Sequence, residues 1–153
     1  MKKMIMLFSL FLSSMAMADC QNTFIDGQKE LCYEYQWVSG PHLNGGHGHH
    51  GHQMKRPAKP LASSVRVLFW KKSDIDQNPV QVEGLRIYPW MIMDNGMEHG
   101  TRPETLRFQE GYYYVEGIYL MKMMGYWEMR LTIPADYNDF NPEFDYVSSF
   151  RID

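Results

Sequence analysis

Polar and apolar residues alternate every two positions along much of the chain. Tyr33, Tyr35 and Trp37 alternate with Glu34 and Gln36, and Trp127, Met129, Leu131 and Ile133 alternate with Glu128, Arg130 and Thr132. Tyr146, Ser148, Phe150 and Ile152 repeat the pattern near the C-terminal end. A period of two sends successive side chains to opposite faces, as a strand with one buried face requires. Further strands are predicted over 64–71, 80–90, 105–108 and 112–121. Within the second of these, Gly84 breaks the phase between Val80 or Val82 and Leu85 or Ile87, which predicts a bulge or a close backbone approach. No stretch of ten or more residues carries a helical stripe. About seven strands separated by Gly, Pro, Asn and Asp turns predict an all-β fold, an immunoglobulin-like antiparallel β-sandwich.

Two segments depart from this pattern. Residues 1–18 combine a charged start at Lys2 and Lys3, an apolar run and an Ala16-Met17-Ala18 end. That is the build of a cleavable signal peptide, and the run is shorter than the roughly 20 residues of a membrane span. The expectation is an exported protein, periplasmic or secreted, with one domain over 19–153 and no stable membrane insertion after cleavage. Residues 40–60, rich in Gly, His and Pro, have almost no apolar periodicity and predict a long exposed loop.

Cleavage removes two lysines and takes the formal charge from −3 to −5. Such a balance gives no reason to expect nucleic acid or an anionic membrane as partner. Both cysteines remain, in a compartment that permits oxidation. Pairing outward from the Asp26-Gly27 turn signal puts Asn22 near Leu31 and Cys20 near Cys32, so a Cys20–Cys32 disulfide is expected.

Two constellations could carry chemistry. In the 40–60 loop, His47, His49, His50 and His52 lie within six residues with only glycine among them, and His42 is upstream. Neutral imidazoles on a flexible backbone suit Zn(II), Ni(II) or Cu(II), so these five form a candidate secondary metal loop. Its plainer reading is a polar loop that binds metal incidentally. The other constellation is methionine-rich. Of the thirteen methionines, five lie in residues 1–18, while Met91, Met93 and Met97 precede His99 and Met121, Met123 and Met124 form a second cluster. Thioethers are soft ligands that favour Cu(I), and one imidazole would complete a Met2His or Met3His set. Met97 and His99, two apart, share a face if the chain is extended. The competing reading is that methionines fill core gaps and pack on aromatic rings.

The order Pro89-Trp90-Met91, then Met97-Glu98-His99-Gly100 and Pro103, then Gly111-Tyr112-Tyr113-Tyr114-Val115, then Met123-Met124-Gly125-Tyr126-Trp127-Glu128 resembles the FixH/YtkA-like family of exported domains. The resemblance covers about 64–133, with 33–41 as a weaker extension. It implies an immunoglobulin-like sandwich with a copper site at one end. In that correspondence His99 and Met97 take the turn positions, Met123 the position before Gly-x-Trp, and Met91 or Met93 the upstream position. Asp94-Asn95-Gly96 departs from the family's compact turn as an insertion, which leaves the upstream sulfur open between the two.

No Gly-x-Ser-x-Gly, HExxH, P-loop or dinucleotide signature is present, so the chain is not expected to be an enzyme. Two classes stay open. One is a copper-binding protein, a Cu(I) carrier or copper-handling accessory that exchanges the ion with a copper-donating or copper-receiving exported protein. The other is a non-catalytic interaction module whose His-rich loop binds Zn, Ni or Cu incidentally.

Overall fold

A computed structural model describes residues 20–26, 29–45, 59–133 and 146–152. The segment expected to be a signal peptide, His47, His49, His50 and His52 lie outside the described residues. The described residues form strands and no helix: β1 (Asn22–Asp26), β2 (Lys29–Ser39), β3 (Leu43–Asn44), β4 (Ser63–Lys71), β5 (Arg86–Met93), β6 (Glu98–Gly100), β7 (Thr105–Gln109), β8 (Tyr112–Ile118), β9 (Leu120–Met121), β10 (Gly125–Ile133) and β11 (Tyr146–Ile152).

Two antiparallel sheets pack face to face, one in the order β1-β2-β4-β8-β7 and the other β11-β10-β5-β6. Setting β1 aside, β2-β4-β8-β7 follows the A-B-E-D order of immunoglobulin-like sandwiches, and β11-β10-β5 the G-F-C order. Three strands are only two or three residues long. They account for most of the excess over the seven expected. The short parallel pair β3–β9 falls partly inside the predicted loop and splits the predicted 112–121 strand.

The alternation seen in sequence becomes the core. On β10, Trp127, Met129 and Leu131 are buried while Tyr126, Glu128 and Arg130 are only half-buried. They meet Phe24, Tyr33, Val65, Val67, Phe69, Tyr113 and Val115 of the facing sheet in one cluster. Tyr35 stacks on Phe150 at 3.6 Å between ring centroids, and Ser148 donates to the Thr23 carbonyl at 3.0 Å, closing the β1–β11 side of the sandwich.

Two local expectations need correction. The 80–90 segment becomes a strand only from Arg86, because Gly84 adopts φ 70°, a left-handed conformation that side-chain-bearing residues avoid and that ends any regular strand. Val82 is nevertheless buried, held by Tyr113: the Val82 N–H donates to the phenol oxygen and the phenol O–H donates back to the Val82 carbonyl, both at 2.7 Å. Burial pushes the Tyr113 phenol pKa up. The β1–β2 register also differs, with Asn22 opposite Tyr33 and Leu31 opposite Phe24. Cys20 precedes β1 and has no partner position in that ladder, and the Cys20–Cys32 disulfide forms across a Cα separation of 5.4 Å. Cys32 packs with Leu68 and Trp70 in a small cluster separate from the main core.

Tyr113→Phe keeps the ring and orphans both backbone groups of Val82. It should destabilise the fold by about 1–3 kcal/mol, measured as a lower urea midpoint at unchanged slope.

Candidate metal-binding end of the sandwich

The register of three strands assembles the candidate residues. Met91 on β5 pairs with His99 on β6 and with Trp127 on β10, giving a row His99–Met91–Trp127 across the sheet. Two residues further along β5, Met93 lies opposite Gly125, and its N–H donates to the Met97 carbonyl at 2.9 Å. Met97, Met93 and Gly125 therefore make the next row. Positions two apart on a strand share a face, so both rows belong to the inward face near one end of the sandwich.

Depth separates the candidates. Met91 is 0% exposed and belongs to the core. Met93 is half-buried with its side chain packed against that core, and His99 is half-buried with its ring edge-to-face against Trp127 at 5.9 Å. Met97 and Met123 are 58% and 45% exposed. Of the two upstream sulfurs left open by the sequence, only Met93 reaches toward the surface.

Gly125 lets the second methionine segment come close. It adopts φ 124°, and a Cβ there would lie 2.1 Å from the Ile92 carbonyl oxygen and 2.8 Å from Met93 Cα. The indole N–H of Trp127 donates to the Met121 carbonyl at 2.9 Å, fixing the start of the chain that carries Met123 and Met124 between β9 and β10. One indole thus contacts His99 through its ring and the methionine segment through its nitrogen.

Glu98 stands between Met97 and His99 and alternates to the outer face. Its carboxylate accepts from Trp90 Nε1 at 2.9 Å and from Arg130 at 3.3 Å, and Arg130 also covers the Trp90 ring at 4.4 Å. The Trp90 hydrogen bond, with help from Arg130, holds the Glu98 carboxyl below the usual carboxylate range against a smaller opposing effect of desolvation. Glu98 is thereby committed away from the inward set. Among the described residues no group of three or more His, Cys, Asp or Glu side chains is placed to hold a metal ion, and the inward set offers only His99 of these types.

The residues that flank the His-rich segment are tied to the same end. Asn44 accepts from the Leu61 N–H at 2.8 Å through Oδ1, and its Nδ2 donates to the carbonyls of Leu61 at 3.0 Å and Leu120 at 3.1 Å. Its own backbone carbonyl accepts from the Lys122 N–H at 2.7 Å. One side chain therefore clasps the two ends of 45–60 together and onto the methionine segment. His42 is half-buried beside it, its Nε2 3.2 Å from Ser39 Oγ and its N–H donated to Ser63 Oγ at 2.8 Å.

No family model, curated protein or solved structure matches the chain.

Asn44→Ala removes three hydrogen bonds of the clasp at once. Amide hydrogen exchange at Leu61 and Lys122 should accelerate, while exchange in β10 stays slow and stability falls by about 1–3 kcal/mol. Mass spectrometry with peptide-level resolution checks both regions in one experiment.

Proposed function

We propose that the protein is an exported copper-binding protein, a Cu(I) carrier or copper-handling accessory, that holds the ion with Met93, Met97, His99 and Met123. The observation that carries this reading is the pair of rows on the inward face of β5, β6 and β10. They bring Met93, Met97 and His99 to one end of the sandwich, with Met123 entering two residues before Gly125. Three thioethers and one imidazole are a soft set, suited to Cu(I) and poorly suited to hard oxygen-seeking ions. Met91 then serves packing, since a wholly buried sulfur cannot meet an ion arriving from solvent. His42, His47, His49, His50 and His52 supply a second, harder set for Zn(II), Ni(II) or Cu(II), anchored beside the first through Asn44.

A second reading, a non-catalytic interaction module, is favoured by the apolar surface at this end. Leu43, Leu61, Met121 and Met124 are exposed around the clasp, and methionine-rich surfaces adapt to protein partners. The two readings separate chemically, because leucine preserves an apolar docking surface and abolishes a thioether ligand.

The test is Cu(I) competition against a chelator under anaerobic conditions, in a background with His47, His49, His50 and His52 replaced by Asn. Met97→Leu and Met123→Leu should each cost less than about 1.5 kcal/mol of stability, as near-isosteric swaps do, and weaken Cu(I) binding at least tenfold, as should His99→Ala. In the parent chain, lowering the pH to about 5, below the ordinary histidine pKa of about 6.5, should empty the His-rich segment and leave part of the Cu(I) affinity. Leucine variants that bind Cu(I) as tightly as the parent refute the copper assignment.

A further inference from the structure

On the opposite half of β5 lies a cleft of about 550 Å3, within the range of ligand-binding clefts. It opens on the side of the sandwich between β5 and β7 and is lined by Ile87, Trp90, Pro103 and Leu106 with the guanidinium-bearing Arg86 and Arg102. None of its lining side chains is acidic. Arg102 is exposed and has no ion pair among the described residues.

The cleft runs along a strand edge left uncovered. β10 pairs with β5 from Arg86 to Met93, whereas β6 pairs only with Trp90, Met91 and Ile92. The chain leaves the ladder at Thr101, whose N–H takes the Pro89 carbonyl at 3.1 Å, and Pro103 follows. On an antiparallel strand the backbone groups of alternate residues aim to the same side. Pro89 and Met93 both bond toward β6, so the N–H and C=O of Ile87 also aim that way, past the end of β6. Neither group has a partner among the described residues.

We propose that this cleft binds an extended acidic peptide segment of a partner protein, which continues the sheet beyond β6 by pairing with Ile87 and presents a carboxylate to Arg102. Main-chain pairing at an exposed sheet edge supplies affinity, and side chains at alternate positions supply specificity. Here Trp90, Pro103 and Leu106 supply apolar contact, and the exposed Arg102 guanidinium selects an acidic side chain. The proposal is independent of the copper reading, because no residue of the cleft belongs to the methionine and histidine set.

The test is a titration of the 15N-labelled, disulfide-bonded protein with Ac-Glu-Val-Glu-Val-Glu-NH2, followed by NMR. Binding should shift the Ile87 amide and the Trp90 indole resonance and slow exchange of the Ile87 N–H. Ac-Lys-Val-Lys-Val-Lys-NH2 should leave both unchanged. The acidic peptide with both valine nitrogens methylated should lose binding, since it cannot pair along the edge. Arg102→Glu, at an exposed position, should weaken the acidic peptide about fivefold, the scale of one exposed charge pair. Absence of shifts, shifts that map away from β5, equal response to the lysine peptide, or undiminished binding by the methylated peptide would each overturn the proposal.

Discussion

The register between β5 and β10 is the constraint on which both ends of this molecule depend. Trp127, Met129 and Leu131 must face the opposing sheet, and they stand opposite Met91, Pro89 and Ile87. A slip of one residue would turn that whole set to solvent and present Glu128 and Arg130 to the core, so the register is strongly specified by burial. Once it is fixed, the parity of every residue on β5 and β6 is fixed with it. Met93, Met97 and His99 then face inward, and Glu98 and Trp90 face outward to make their network with Arg130.

Burial grades the inward face along its length. Near the middle of β5 the inward side chains lie under the facing sheet, and Met91 is as fully buried as Met129. Toward Met93 that cover thins, and the segment after β9 supplies neighbours instead. Two polar side chains hold those neighbours: the Trp127 indole, bonded to the Met121 carbonyl, and Asn44, bonded to Leu61 and Leu120. The result is an end of the sandwich where thioether and other apolar side chains are exposed on a backbone that is itself hydrogen-bonded, the condition for positioning a site on a rigid scaffold.

Much of the fold was legible because burial writes a period of two into the chain. β2, β4, β7, β10 and β11 lie where alternation predicts them. The 80–90 segment misled because Val82 is apolar for a different reason, its contact with the distant Tyr113, and periodicity cannot tell a buried loop residue from a strand residue. The candidate site was legible as a set of residue types and not as a geometry. Met91 and Met93 have the same parity, so no local pattern distinguishes the sulfur under the facing sheet from the one near the edge. Asn44 left no signal at all, since its role rests on partners 17 and 76 residues away in sequence. Trp127 was visible as a core strand residue, and its link to Met121 depends on a hydrogen bond outside any sheet pattern.

The central claim, that Met93, Met97, His99 and Met123 hold Cu(I) together, is tested most directly by X-ray absorption at the copper edge. The sample is the variant with His47, His49, His50 and His52 replaced by Asn, loaded with one equivalent of Cu(I) at neutral pH, where imidazole is available as a ligand. The account predicts a first shell dominated by sulfur with one imidazole nitrogen, losing a sulfur in Met97→Leu or Met123→Leu. A first shell of nitrogen and oxygen alone, or one unchanged in both leucine variants, would contradict it.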